Sequence, residues 1–473
     1  MAKFYIDQHG CAKNQTDGEL ITGFLTSAGF EFTSTIENAD IILINSCGFI
    51  ESAKKESINA IYNIKQAFPK AKIILTGCLA ERYAKNLHES MPELDGIFGN
   101  GDLSKIAEYL APLKDSTASK KKSARLDYET PAQSGICCGE RPYIFNFTGS
   151  AYVKITEGCS NYCSFCAIPL IRGPARSRPL QSIIKEIKEL IKNGVYEINL
   201  IGQDLAAYTF DKTPAAQSNL KDLLCEISRL KGNFIVRTLY IHPDHFDTAI
   251  LEVFQKDSRF VPYFDIPFQS GDDQIIHAMN RKGTAKKYIA LVKNIKKLLP
   301  DAVLRTTFLT GFPGETEEAA ANTRQFLQEI KPLWSGCFSF SREEDTPAWS
   351  MKNRVPKKLA NQRAKELTQI QQELTKTQLE KYVSKEFDIL IEEVISGDED
   401  SEGLAIGRAW FEAPEVDGAV VVRFDTDNEK EKQAVQAGNV VKARILAVTG
   451  IDLDARFTSL VSHFSKSKIQ FLQ

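Results

Sequence analysis

No run of apolar residues in this chain reaches the roughly 18–20 that a bilayer-spanning helix requires. The first residues, Met1-Ala-Lys-Phe-Tyr-Ile-Asp, lack the apolar core of a secretory leader and read as a strand. Charge of one sign is also missing. Lys and Arg total 59 against 61 Asp and Glu, a net charge of −2, so no global pull toward nucleic acid is implied. No internal repeat suggests a solenoid. These absences point to a cytoplasmic protein. At 473 residues, 43% hydrophobic and 25% charged, the chain has apolar material for two to four domains. What it does have is ten cysteines. In a reducing compartment they are a poor disulfide set, and metal ligation or redox chemistry is the better expectation.

Three N-terminal segments share one pattern. Lys3-Phe4-Tyr5-Ile6 leads to Cys11, Ala39–Ser46 leads to Cys47, and Lys72–Gly77 leads to Cys78. Each is a short aliphatic run that ends at a cysteine. Helical stretches lie between them, at Asp17–Ala28 and Ser52–Phe68, and such alternation predicts a parallel α/β sheet. Functional residues of an open parallel sheet gather at the carboxyl ends of its strands. Three cysteines there would converge on one edge, although each alone reads as a buried core cysteine.

Residues 113–126 are polar, basic and low in complexity, which predicts a solvated linker. From Ser150 to Glu343 six strand-like runs alternate with helices: Tyr152–Thr156, Glu197–Ile201, Val236–Ile241, Tyr263–Phe268, Val303–Leu309 and Gly336–Ser341. They predict a partial (β/α)6 barrel with its chemistry at the carboxyl ends of the strands. Residues 357–384 contain no Gly or Pro and predict a long bridging helix. Five short β-rich runs after Lys385 predict a small antiparallel barrel. The expected organisation is an α/β multidomain chain, with an N-terminal domain at 1–112, a linker at 113–144, a barrel with its bridging helix at 145–384 and a C-terminal barrel at 385–461.

The strongest chemical signal is Glu157-Gly158-Cys159-Ser160-Asn161-Tyr162-Cys163-Ser164-Phe165-Cys166, of the form C-x3-C-x2-C, directly after a predicted strand. Three thiolates on one loop can bind three irons of a cubane cluster and leave the fourth open. The alternative is a zinc knuckle, which would show four ligands with paired C-x2-C spacing. Cys11, Cys47 and Cys78, at separations of 36 and 31 residues, offer a second three-ligand set. Cys137, Cys138, Cys225 and Cys337 match no ligand pattern.

Here a family resemblance becomes specific. Gly10-Cys11-Ala12-Lys13-Asn14 with Asp17 and Glu19, Asn45-Ser46-Cys47 and Thr76-Gly77-Cys78 resemble the N-terminal domain of the radical S-adenosylmethionine (SAM) methylthiotransferases. Cys159–Cys166 with Ala167-Ile168-Pro169, Arg172-Gly173 and Arg176-Ser177-Arg178-Pro179 resembles their radical SAM core, and 386–460 resembles their TRAM barrel. The resemblance implies two 4Fe–4S clusters, held by Cys11, Cys47, Cys78 and by Cys159, Cys163, Cys166. It implies SAM as radical source and methyl donor, with Phe165 near the adenine and Gln203 and Arg305 among the SAM-facing strand ends. Gly202-Gln203-Asp204, Asp265–Gly271 and Thr310–Glu315 are the strand-end segments concerned; glycine and proline there could equally only shape turns. His242, also at a strand end, reads as structural. The implied reaction begins with cleavage of SAM to methionine and a 5′-deoxyadenosyl radical. That radical takes hydrogen from carbon, and the carbon radical captures a methylated sulfur. An external electron donor, flavodoxin- or ferredoxin-like, is implied.

Three branches of the family compete. Two act on tRNA adenosines of the isopentenyl and threonylcarbamoyl types. The third acts on an aspartate of the small-subunit ribosomal protein uS12. Ser341-Arg342-Glu343-Glu344-Asp345-Thr346-Pro347-Ala348 and Gly407-Arg408-Ala409-Trp410 resemble the ribosomal branch. Residues 385–457 carry 17 acidic against 8 basic side chains. A barrel gripping tRNA should be basic, because phosphate contacts supply most of the affinity. An acidic one suits a basic ribosomal protein, or serves solubility alone.

Overall fold

The computed structural model describes residues 1–113, 125–127, 132, 135–210, 218–395, 402–464 and 467–472. The N-terminal sheet is fully parallel, in the order Glu31–Phe32, Lys3–Gln8, Ile41–Ser46, Lys72–Thr76, Gly96–Phe98, Arg125–Asp127. Its central strand, Ile41–Ser46, is buried at every position, which explains its unbroken aliphatic run. The helices Ala12–Ser27 and Glu51–Ala67 follow the first and central strands. Much of the expected linker, 114–124, 128–131 and 133–134, lies outside the described residues. Arg125–Asp127, expected as linker, instead pairs as the last strand of the sheet.

The second sheet has six parallel strands in sequence order: Ser150–Lys154, Glu197–Ile201, Ile235–Thr238, Phe260–Asp265, Val303–Thr310 and Trp334–Ser339. The first and last are not paired, so the barrel is partial, as expected. Alternation splits the strands by face. Ala151, Val153, Ile198, Leu200, Val236, Phe264, Leu304 and Phe308 join the core beneath the helices. The other face carries Tyr152, Lys154, Glu197, Arg237, Tyr263, Asp265 and Arg305, in register across the sheet. The helix Lys357–Leu379 packs along the last strands and leads to the C-terminal barrel.

That barrel closes in the order Glu386–Ile395, Gly403–Arg408, Val420–Phe424, Asp452–Ser462, Val440–Thr449. It is not antiparallel throughout: Val420–Phe424 and Asp452–Ser462 pair in parallel. The short helix Glu429–Ala434 and the hairpin Val440–Ser462 form the crossover that makes this seam.

The C-terminal barrel shares a core with the inner face of the six-stranded sheet, where Tyr152, Tyr263, Val303 and Trp334 meet Phe411, Ala413 and Val420. Beside that core Glu197, 1% exposed, takes Arg408 Nη2 at 2.8 Å and Arg237 Nη2 at 2.9 Å. Arg305 bridges Asp265 (3.4 Å) and Asp417 (3.3 Å), and Tyr263 donates to Asp417 at 2.5 Å. Part of the barrel's acidity, Glu392, Glu412 and Asp417, therefore faces inward and is held by arginines or backbone amides. No helix among the described residues is long and apolar enough to cross a membrane.

Candidate active site between two cysteine triads

Cys159, Cys163 and Cys166 lie on the loop that follows the first barrel strand. Gly158 sits at φ +72°, and a Cβ there would fall 2.1 Å from the Pro174 carbonyl oxygen, so only glycine lets the loop turn back on its own exit. Backbone bonds fix the loop: Cys159 N donates to Gly173 O (3.1 Å), Cys166 N to Cys163 O (3.0 Å) and Ser164 N to Met279 O (3.1 Å). Asp204, from Gly202-Gln203-Asp204, accepts from Asn161 Nδ2 at 2.9 Å and from the His242 amide at 3.1 Å. His242 Nε2 stands 3.9 Å from Cys163 Sγ. The strand end that sequence reading treated as structural thus abuts the cysteine loop.

The other triad assembles from three adjacent strand ends. Cys11 caps the helix Ala12–Ser27, Cys47 follows the central strand, and Cys78 is the second residue of the helix Gly77–Ser90. Close backbone approach brings them together. A Cβ on Gly10 would lie 3.2 Å from the Cys47 Cβ, and one on Gly48 would lie 2.6 Å from the Cys78 carbonyl oxygen. Asn14 explains the Gly-Cys-Ala-Lys-Asn spacing. One turn after Cys11, its Nδ2 reaches the carbonyls of His9 (2.7 Å), Asn45 (3.1 Å) and Ser46 (3.2 Å), while its Oδ1 stands 4.0 Å from Cys78 Sγ.

Arg172 reaches the second triad from the segment that follows the first. It leaves the helix Ile168–Arg172, directly after the first cysteine loop, and its Nη2 reaches Cys78 Sγ at 3.2 Å. Its Nη1 pairs with Glu157 (2.7 Å) and Asp17 (2.9 Å), and Lys154 bridges the same two carboxylates. Burial alone would weaken Arg172 as a cation, but Cys78, Glu157 and Asp17 hold its pKa well above the ordinary value. This ionic lattice was missed in the sequence. Its signal was a lysine and a glutamate, Lys154 and Glu157, where the strand Ser150–Lys154 runs into Thr156–Glu157. Lys13, also buried, sits over the Tyr240 ring at 2.9 Å, and burial lowers its pKa to about 8.

The donor chemistry fits iron–sulfur clusters. Burial and then neighbouring Cys78 push the Cys47 thiol up to about 12, and burial pushes Cys159 up to about 11. Burial alone would raise Cys11 as well, but Lys13 and Arg172 bring it below the ordinary thiol value; a metal takes each sulfur as the thiolate. Each group offers three sulfurs, which leaves one position of a cubane open. The surroundings also fit SAM: Gln203 donates to Glu157 at 3.3 Å, yet its buried Oε1 has no partner, nor has Thr156 Oγ1 beside it.

The remaining expected residues fall as follows. Phe165 packs with Ile275, Met279, Phe312 and Ala348 beneath the loop. Arg305 lies low on its strand, engaged with Asp265 and Asp417. Gly311, at φ +75°, shapes a turn against Ala360. Cys225 and Cys337 pack on the barrel core; Cys137 packs on the N-terminal core, and Cys138 is exposed.

Known proteins resemble this chain along most of its length. Residues 3–99 match the uncharacterized protein family UPF0004, 153–327 the radical SAM superfamily and 383–457 the TRAM domain. The chain is 51% identical to the ribosomal protein uS12 methylthiotransferase RimO of Treponema denticola, over 95% of this chain and 99% of that one. It is 37% identical to the RimO of Natranaerobius thermophilus, over 95% and 98%. The radical SAM methyltransferase TsrM of Kitasatospora setae, solved with cobalamin and a [4Fe-4S] cluster, shares the fold at a TM-score of 0.53 and 15% identity, over 74% of this chain and 77% of that one. The chain belongs to the ribosomal protein uS12 methylthiotransferase family, a multidomain radical SAM family that uses SAM and an iron–sulfur cluster.

Proposed function

We propose that this enzyme adds a methylthio group to the β-carbon of an aspartate in ribosomal protein uS12, using two clusters held by Cys159, Cys163, Cys166 and by Cys11, Cys47, Cys78. The observation that carries this reading is the contact of Arg172, rooted beside one triad, with Cys78 of the other. No side chain can remove hydrogen from an unactivated carbon by acid–base chemistry, so the bound cluster with SAM supplies the radical that does so.

The chain's own residues bind and orient. Gln203, whose buried Oε1 has no partner, would help hold SAM when it is bound. Phe165 bounds the adenine side of the loop. Arg305, level with Asp265 on the neighbouring strand, would act on the SAM-facing strand end through that carboxylate. Arg172 and Lys13 place positive charge beside the second triad, which favours an anionic sulfur species there. The buried pairs between Asp17, Lys154 and Glu157 lie at a cavity of about 320 Å³ that Arg172 and Arg176 also line, and they hold these charges in place beside the second triad. Near Cys163 and Cys166 the molecule opens into a cavity of about 400 Å³ bounded by Tyr162, Leu170 and Thr346. An external flavodoxin- or ferredoxin-like donor reaches the cluster from this side, in the cytoplasm where ribosomes are modified. The proposed units are 1–112, 145–384 and 385–461, with 113–144 joining the first two.

Mass spectrometry of uS12 from a strain lacking the gene for this chain tests the reading. The methylthio group, about 46 Da on the aspartate, should vanish and return on complementation. Its retention in the deletion strain would refute the assignment. A gel shift with tRNA at moderate salt checks the other branch of the family, and tight binding would favour it.

A further inference from the structure

The segment Ser341–Ser350, after the last barrel strand, contacts the helix that follows Cys47, the helix that carries Cys78 and the loop that carries Cys163 and Cys166. At its head Glu343 is 2% exposed with both oxygens occupied. Oε1 accepts from Ser341 Oγ at 2.7 Å, and Oε2 accepts from Lys54 Nζ at 2.9 Å and Arg82 Nη1 at 2.6 Å. Both cations belong to the N-terminal domain. Lys54 lies in the first turn of the helix that follows Cys47, and Arg82 lies one turn after Cys78. Arg82 also reaches the carbonyls of Gly48 (3.1 Å), next to Cys47, and of Glu344 (2.8 Å). At its tail, Ala348 N donates to Ser164 O at 2.8 Å, between Cys163 and Cys166. Thr346 Oγ1 folds the segment back on itself through the Glu343 carbonyl, at 2.7 Å.

We propose that Glu343 is a positioning residue that sets the separation and orientation of the two cysteine triads; this rests on the two-cluster reading above. A carboxylate buried against two cations holds its partners directionally, through short charge-assisted hydrogen bonds. Removing its charge leaves the buried Arg82 and the partly exposed Lys54 without their shared carboxylate, so the two halves relax apart. Sulfur capture by a carbon radical depends on reach. A displacement of about 1 Å can cost on the order of 100-fold in such a step. Radical formation, confined to the Cys159–Cys166 loop, does not depend on that reach.

The test uses the full chain, reconstituted anaerobically, as wild type, Glu343→Gln and Glu343→Asp. Iron content, 5′-deoxyadenosine, methylthio product on a uS12 peptide, and hydrogen exchange are measured together. Glu343→Gln is expected to form 5′-deoxyadenosine within about twofold of wild type while product per 5′-deoxyadenosine falls about tenfold or more. Exchange should quicken at 47–55, 78–83 and 341–350 but not in the C-terminal barrel. Glu343→Asp, which keeps the charge, should recover part of the coupling. Unchanged coupling, or equal loss of both products, overturns the proposal. Should Glu343→Gln not fold, Lys54→Gln carries the same expectation, because Lys54 is the more exposed of the two cations. Iron for only one cluster in the wild type would sink the two-cluster reading, whereas the exchange pattern would still decide whether Glu343 holds the two halves together.

Discussion

The two proposed cluster sites bring their three cysteines together in opposite ways. Cys159, Cys163 and Cys166 share a single loop, fixed by a glycine turn and hydrogen bonds to its neighbours. Cys11, Cys47 and Cys78 come from three strand ends and meet only because those strands are adjacent in a parallel sheet. The first site is written in ten residues of sequence. The second depends on register, on backbone approach at Gly10 and Gly48, and on Asn14 tying separate segments together. A local site should survive damage to the fold better than a distributed one.

The largest expected effect separates the two by function. Cys163→Ala should lower 5′-deoxyadenosine formation by about 1000-fold or more, because the hard step belongs to the cofactor. Cys78→Ala should keep 5′-deoxyadenosine and lose the methylthio product to a similar extent. Product formed by Cys78→Ala would remove the distinction.

Next comes a control remote from both triads. Glu197→Gln breaks the buried contact of the C-terminal barrel with the sheet and should cost about 3–5 kcal/mol in chemical denaturation. Iron content should not change, and iron lost from either triad would argue against their independence of that barrel. Burial alone would raise the Glu197 carboxyl, but Arg408 and Arg237 hold it far below the usual range. The stability this pair contributes is therefore complete above the unfolded value, about pH 4, and disappears only as pH falls toward the folded one. The wild-type minus Glu197→Gln difference in melting temperature should stay flat from about pH 6 to 8. A difference that shrinks across that window would contradict the assignment.

A smaller effect sharpens the comparison itself. Asn14→Ala leaves buried carbonyls without their donor, at about 1–3 kcal/mol. It should release iron from the distributed site first, so about half the iron is lost while 5′-deoxyadenosine formation persists. Equal loss from both sites would show that the local loop leans on the N-terminal sheet. The smallest change is expected from Tyr263→Phe, which removes one hydrogen bond to Asp417, about 1–2 kcal/mol, with neither cluster disturbed; iron assay and thermal melting check it.

The sheets were legible because hydrophobic period and strand–helix alternation are local signals. The six barrel strands fall within a few residues of their expected places, and Glu197–Ile201 matches at both ends. Legibility failed where partners are distant. Arg125–Asp127 is too polar to announce a strand and becomes one only beside Gly96–Phe98. The parallel seam of the C-terminal barrel depends on how a crossover returns, which a list of strands does not encode. Its net acidity pointed toward a basic partner, yet the side chains of Glu392, Glu412 and Asp417 are turned inward.

The sequence by itself determined the six cysteines as candidates, the alternation that builds both parallel sheets, and the family. Thiol spacing and hydrophobic period are read from neighbours along the chain. Only the tertiary structure decided that Arg172, after the first cysteine loop, reaches Cys78, that Lys154 and Glu157 share a buried ionic cluster with Asp17, and that Glu343 reaches Lys54 and Arg82 across some 260–290 residues. A charge can stay buried only when its counterion is brought to it. In this chain, folding alone brings the two together.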